Sequence, residues 1–216
     1  GVKKGDKIAI LLMNCIEWLP IYFGILKTGA LAVPMNYRYT AEEIKYCIDL
    51  ADVDMLVFGP EFIGRVEDIF DSISDKTLFY VGEEKPSFAD SLNEMISYCS
   101  TDAPKIPLTV EDNAAIYFSS GTTGFPKAIL HAHRALISSC ITEQHHHLQT
   151  REDTFLCIPP LYHTGAKMHW FGSLYSGSRA VLLRGVKPEW IIRAASDERV
   201  SIVWLLVPWA QDILDA

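Results

Sequence analysis

The sequence predicts an α/β fold of mostly parallel sheets flanked by helices. Three observations carry that reading. Short apolar runs with strand composition recur along the chain, segments with helical spacing separate them, and helix-start signals stand at the junctions. Alternation of this kind is satisfied by parallel strands with helices covering both faces of the sheet.

Residues 7–13, "KIAILLM", read as the first strand. Asn14 and Glu17 then stand at capping-box spacing, which predicts a helix running to Gly29 with a kink at Pro20. The runs "LAVP" (31–34) and "DMLVFG" (54–59) are further short strands. Between them Thr40 and Glu43 repeat the capping-box spacing, and Ile44, Cys47, Ile48 and Ala51 make an apolar helix face. The helix-like "FIGRVEDIFDSI" (62–73) leads to the strand "TLFYV" (77–81).

Residues 99–113, "CSTDAPKIPLTVEDN", combine Pro, Ser and Thr with no apolar period, the marks of a linker. The predicted organisation is therefore a first α/β subdomain over 1–100, a linker over 101–113 and a second α/β segment over 114–216. That second segment contains a helix from about Arg134, a strand "TFLCIP" (154–159) and a helix from His163 to Tyr175. A strand "RAVLL" (179–183), a helix opened by Pro188, a strand "VSIVWLL" (200–206) and a helix begun by Pro208 complete it.

Bulk properties narrow the function. Of 216 residues, 49% are hydrophobic and 21% charged, the balance of a core-forming soluble protein. The formal net charge of -8 disfavours nucleic acid and anionic membrane surfaces as partners, and no basic run is interleaved with aromatics. No apolar run is long enough to span a membrane, and the opening "GVKKGDK" is no signal peptide, so a cytoplasmic location is expected. Five widely spaced cysteines without a CxxC pair are expected to be buried free thiols.

The stretch with chemical content is "IYFSSGTTGFPKAILHAH" (116–133). Ser119, Ser120, Gly121, Thr122, Thr123 and Gly124 form a run of small and hydroxyl residues between two strand-like segments. Gly121 and Gly124 permit close backbone approach, so successive N–H groups can converge on an anion, while the hydroxyls add donors. Lys127 adds a cation suited to phosphate. A Walker A loop would need Gly immediately before the lysine, Ser or Thr after it, and a helix to follow. Here Pro126 precedes, Ala128 follows, and "AILHA" continues as a strand, so the Walker reading fails and the residues leave open a plain hairpin turn or a loop that cradles phosphate.

Two histidine groups invite other readings. His163, after "PPLY", can cap the helix beginning at Thr164. The triplet His145, His146 and His147 points in three directions on a helix with no partner four residues ahead, so a solvated helix end is expected and no metal site is assigned. His131 and His133 alternate on the strand after the loop and are expected to hydrogen-bond structurally.

"YFSSGTTGFPKAILHAHRAL" closely resembles the phosphate-binding signature of the adenylate-forming superfamily, the AMP-dependent acyl-CoA and aryl-CoA synthetases, luciferases and peptide-synthetase adenylation domains. Three more segments are similar in the order that family shows: the opening "GVKKGDKIAILLMNCIEWLPIYFGILKTGALAVPMNYR", the substrate-pocket motif "PPLYHTGA", and "VSIVWLLVPWAQDIL". One departure stands inside the signature, where Ala128 replaces the usual glycine.

The resemblance implies part of the N-terminal domain of a ligase that activates a carboxylic acid with ATP to an acyl-adenylate and then forms a thioester with CoA, a chemistry that includes fatty acid metabolism. It implies that residues 119–124 and Lys127 bind the β- and γ-phosphates, and that Lys127 and His163 are catalytic, His163 lining the acyl pocket. ATP, Mg²⁺ and CoA are the implied cofactors and co-substrates. The Tyr-Gly-x-Thr-Glu segment whose Glu binds magnesium, the Asp that binds ribose, and the C-terminal domain with its lysine are not in this sequence. The chain alone is therefore expected to be inactive and to associate with itself through exposed apolar surface. Loading of a carrier protein, or ATP binding without catalysis, are the alternatives.

Overall fold

A computed structural model of the protein describes residues 1–119 and 125–215. The chain forms two compact units, Gly1–His133 and Arg134–Ala216.

The first unit is built on a seven-stranded sheet. In chain order its elements are β1 (Lys7–Leu11), α1 (Trp18–Lys27), β2 (Leu31–Pro34), α2 (Ala41–Ala51), β3 (Met55–Phe58), α3 (Ile63–Ile69), β4 (Thr77–Tyr80), β5 (Asp90–Ser91), α4 (Leu92–Ser97), β6 (Asn113–Ser119) and β7 (Lys127–Ala132). The strand order is β5-β4-β3-β1-β2-β6-β7, and every neighbouring pair is parallel except β6 with β7. Strand β1 lies near the centre, with Ile8 paired to Ala32 of β2 and to Met55 of β3. It carries helices over both faces, which is why β1 to β3 read as continuous apolar runs instead of alternating ones.

The capping box expected at α2 forms in full. The Thr40 hydroxyl accepts from the Glu43 N–H, the Glu43 carboxylate accepts from the Thr40 N–H, and Ile44, Cys47, Ile48 and Ala51 are buried. The one expected at Asn14 and Glu17 does not. Glu17 is itself the N-cap of α1, with no side-chain cap bond. Pro20 then falls at the third helical position, and the first intrahelical bond runs from Ile21 to Glu17. A proline there sacrifices no helical hydrogen bond, so the reason for a kink disappears. After α1 the chain turns at Gly29, where φ is +75 and a side chain would crowd Lys4 and Leu108.

The expected linker contains no helix or strand over 101–110, yet it is fastened to the first unit. Lys4 Nζ donates to the Pro107 carbonyl at 3.1 Å and pairs with Asp112 Oδ1 at 2.7 Å, and Asp112 also accepts from the Thr109 N–H. Strands β6 and β7 then extend the same sheet, so the chain divides after His133 and not at 101–113.

The second unit holds the rest of α5 (His133–His146), followed by β8 (Thr154–Cys157), α6 (Thr164–Ser176), β9 (Arg179–Leu182), α7 (Pro188–Asp197), β10 (Ile202–Val203) and α8 (Val207–Leu214). Its parallel sheet has the order β10-β8-β9, with every residue of β8 buried. Leu156, Ile158 and Ile191 centre its core. Gly177, at φ +71, ends α6 in the left-handed conformation. All five cysteines are free, but only Cys47, Cys140 and Cys157 are buried; Cys15 is half-buried and Cys99 exposed. No helix among the described residues is long and apolar enough to cross a membrane.

Asp112 offers a check on the fastening of 101–113. The hydrogen bond from Lys4, followed by that from the Thr109 N–H, holds its carboxyl down at about 2. A carboxylate lowered on folding contributes stability above its unfolded value of about 4 and loses it as pH falls through the folded value. Denaturant unfolding between pH 5 and 2, conditions chosen to bracket that window, is expected to show a shallower loss of stability in Asp112→Asn than in the parent chain. Parallel profiles would count against the anchor.

Candidate functional site

The residues of the phosphate-loop motif are set by the one antiparallel pairing of the large sheet. Ser119, the half-buried last residue of β6, pairs directly with Lys127, the exposed first residue of β7. Directly opposed antiparallel residues lie about 5 Å apart. Both ends of the loop therefore start from one place. Ser120, Gly121, Thr122, Thr123 and Gly124 lie outside the described residues.

Local sequence explains the anchorage. Residues 114–117 of β6 are buried, and the Tyr117 hydroxyl meets that of Tyr22 on α1 at 3.1 Å in the interior. His131 packs edge-on against Tyr117 across the strand pair, at 5.6 Å between ring centres. At the loop's exit Phe125 packs against Tyr46 of α2, at 4.9 Å, and Pro126 is buried. The chain continues from Lys127 as a strand to Ala132 and not as a helix, which excludes the Walker A geometry as the sequence predicts.

In β6 the carboxyl end points the same way as those of β1 to β4, since all are joined by parallel pairing. Ser119 and Lys127 consequently stand at the carboxyl edge of the sheet, where open α/β sheets receive ligands.

His163 belongs to the second unit. It is the N-cap of α6, its backbone extended at φ -78 and ψ 135, and its Nδ1 accepts the Gly165 N–H at 3.1 Å. An accepting Nδ1 carries no proton, so the neutral ring bears its hydrogen on Nε2, which stays available as a donor. Part of the residue is exposed, but the protein packed round its ring lowers its pKa below the ordinary histidine value. Trp204 lies 6.2 Å from the ring, and a side chain at Gly165 would meet both Trp204 and His163 within 3.3 Å. A glycine at this point is what lets the three come together.

Sequence reasoning missed several residues of this unit. Lys167, one turn after His163, is buried, with Nζ donating to Ser139 Oγ at 2.6 Å and burial lowering its pKa to about 8. Its only signal was a lysine amid small and apolar neighbours of a helix. Trp204 lay unmarked in a strand-like run. His145, His146 and His147 are exposed at a helix end as expected, but His147 has a partner one turn behind it, Glu143, and another on α6, His169. Looking only four residues ahead could not find either. Trp170 is core, whereas Tyr175 is exposed.

Comparison with known proteins gives the family and the fold. The profile of the AMP-binding enzyme family matches residues 1–216. The chain is 25% identical over 210 residues to a 4-hydroxybutyrate–CoA ligase of Metallosphaera sedula, an alignment covering 93% of this chain and 38% of the relative. It is 30% identical over 192 residues to a crotonobetaine/carnitine–CoA ligase of a Proteus species, covering 85% and 37%. The inhibitor-bound N-terminal domain of FACL13 from Mycobacterium tuberculosis superposes with a TM-score of 0.91 at 25% identity, over 100% of this chain and 53% of that one. The chain thus spans well under half the length of these curated relatives.

The cap and any chemical role of His163 are separable. His163→Ala is expected to cost about 1 kcal/mol of stability, the usual value of an N-cap side chain, and His163→Asn to restore most of it, because Asn caps well. Chemical denaturation of the three proteins makes the comparison. Equal stability of parent and alanine variant would remove the cap from the account.

Proposed function

The chain belongs to the family of AMP-binding enzymes, and from that membership we propose that it supplies the phosphate-loop region of an AMP-forming acid–CoA ligase. The observation that carries the reading is the pairing of Ser119 with Lys127, which fixes both ends of a Ser/Thr/Gly loop and is followed by a strand. The CoA-ligase names of the relatives support CoA as the acceptor over a carrier protein, and enzymatic use over ATP binding alone. With ATP and CoA as co-substrates, we assign a cytoplasmic location.

In the proposed reaction a carboxylate oxygen of the acid attacks the α-phosphorus of ATP, and the bond from that phosphorus to pyrophosphate breaks. The CoA sulfur then attacks the acyl carbonyl, loses its proton, and displaces AMP. Two anions have to meet in the first step. Backbone N–H groups and hydroxyls of Ser119, Ser120, Gly121, Thr122, Thr123 and Gly124 would hold the β- and γ-phosphates, and Lys127 would offset the charge that grows on the leaving pyrophosphate. His163, oriented by its cap, would present Nε2–H to the acid's carboxylate.

Magnesium is assigned no step. Among the described residues the group with metal-ligand spacing is Glu143, His147 and His169, and its two imidazoles do not suit a cation that demands oxygen ligands.

The roles of Lys127 and His163 should separate kinetically in the complete protein that contains this chain. Lys127→Ala is expected to slow acyl-adenylate formation by about 10²- to 10³-fold, on the scale of losing one stabilising donor, while sparing thioester formation from preformed acyl-adenylate. His163→Ala is expected to raise the apparent KM for the acid with ATP binding nearly unchanged, and His163→Asn, which keeps the cap, to share that defect. Single-turnover and steady-state assays would decide. A His163→Ala variant that weakened ATP binding as much as Lys127→Ala, with acid dependence intact, would end the pocket assignment.

A further inference from the structure

The seam between α5 and α6 is lined with side chains that the proposed reaction does not use. Ser139, Glu143 and His147 follow one another at four-residue steps, so they share one face of α5 and its last turn, where the His147 N–H still donates to the Glu143 carbonyl. Opposite them on α6 stand Lys167, which meets Ser139, and His169. Gly172 of α6 lies over the same seam, where a side chain would press on Gln149 and reach ordinary contact with the Cys140 carbonyl and Gln144.

Toward the far end of this seam, ligand atoms of Glu143, His147 and His169 all lie within 4.8 Å of one another, with His147 Nδ1 3.8 Å from Glu143 Oε2. His169 is only 4% exposed. Its ring is held by Phe155, stacked at 5.0 Å, by His147 at 5.1 Å and by Trp204 at 6.4 Å. The ring nitrogen it offers therefore lies beside a second imidazole and a carboxylate.

We propose that Glu143, His147 and His169 form a binding site for a zinc-class divalent metal ion that ties the end of α5 to α6. Two imidazoles and a carboxylate are a donor set suited to Zn²⁺ and its first-row neighbours, and unsuited to Mg²⁺ or Ca²⁺. Bonds of about 2 Å to a tetrahedral ion bring ligand atoms to roughly 3.4 Å from each other. The present spacing closes to that by rotation of His147, which is exposed, and Glu143, which is half-buried, onto a fixed His169. Three protein ligands leave the fourth position to water. Burial lowers the pKa of His169, the direction that favours a metal-binding lone pair. The bound ion would stiffen the helix that His163 caps.

The test is zinc binding by the chelator-treated chain, followed by equilibrium dialysis and by the visible spectrum of Co²⁺ in its place. One ion per chain at micromolar zinc, a four-coordinate Co²⁺ spectrum and a zinc-dependent rise in Tm are expected. Affinity should fall at least tenfold in Glu143→Gln and further in His147→Ala, both surface changes that leave folding intact. The double variant His145→Ala/His146→Ala should bind as the parent does. Binding that survives His147→Ala but is lost in the double variant would mean an adventitious histidine tract and overturn the proposal, as would no binding at micromolar zinc. Neither result would touch the assignment of the phosphate loop, which rests on Ser119 and Lys127.

Discussion

The antiparallel pairing of β6 with β7 is the constraint on which the phosphate-binding region depends. Elsewhere in the large sheet successive strands are parallel, and most return through a helix. β7 instead turns straight back along β6, so Ser119 and Lys127 face each other as a register pair. That pairing needs β6 to be immobile, and burial of residues 114–117 between the sheet's helices makes it so. β7 is less protected. It is the edge strand, and Ile129 and Leu130, which point to opposite faces, are 45% and 54% exposed. The rigid member positions the loop and the exposed member carries the lysine.

Most of the fold was legible in the sequence because its signals were local. Apolar runs marked the buried parallel strands, and the Thr40–Glu43 box announced α2 with its buried face. The same spacing at Asn14 and Glu17 failed because spacing alone does not place the first helical residue. Once Glu17 is the N-cap, Asn14 is outside the helix and Pro20 is in its first turn. Residues 101–113 misled for a different reason: their composition describes a stretch without regular structure, whereas the division of the chain depends on pairing. Lys4, about a hundred residues away, holds Pro107 and Asp112, and β6 then joins β2. Contacts of that range leave no trace in local composition.

The candidate site was legible in the same uneven way. The loop motif could be read because its chemistry is contiguous, and the departure from a Walker loop followed from Pro126 and the strand after Lys127. His163 was read as either a cap or a pocket residue; the structure shows the cap, and in the proposed reaction the cap would also orient the ring. The hydrogen bond from Gly165 takes Nδ1, sets the ring's tautomer and direction, and leaves Nε2–H to act. A capping role therefore prepares the donor that the proposed reaction uses. Trp204 and Gly165 complete the surroundings, yet neither residue type at those positions signals a partner in sequence.

The second unit extends this logic to groups that no motif contains. Its α5–α6 seam buries a lysine and a histidine, polar side chains whose burial costs stability unless something compensates. Lys167 is partly compensated by Ser139 and by easier loss of its proton, which burial brings down to about 8. His169 has no such hydroxyl. What faces it is His147 and Glu143, side chains whose lone pairs converge and whose long reach lets them adjust. A purely apolar seam would have packed the same two helices more cheaply, so the polar groups are better understood as serving a bound cation than as holding the helices together unaided.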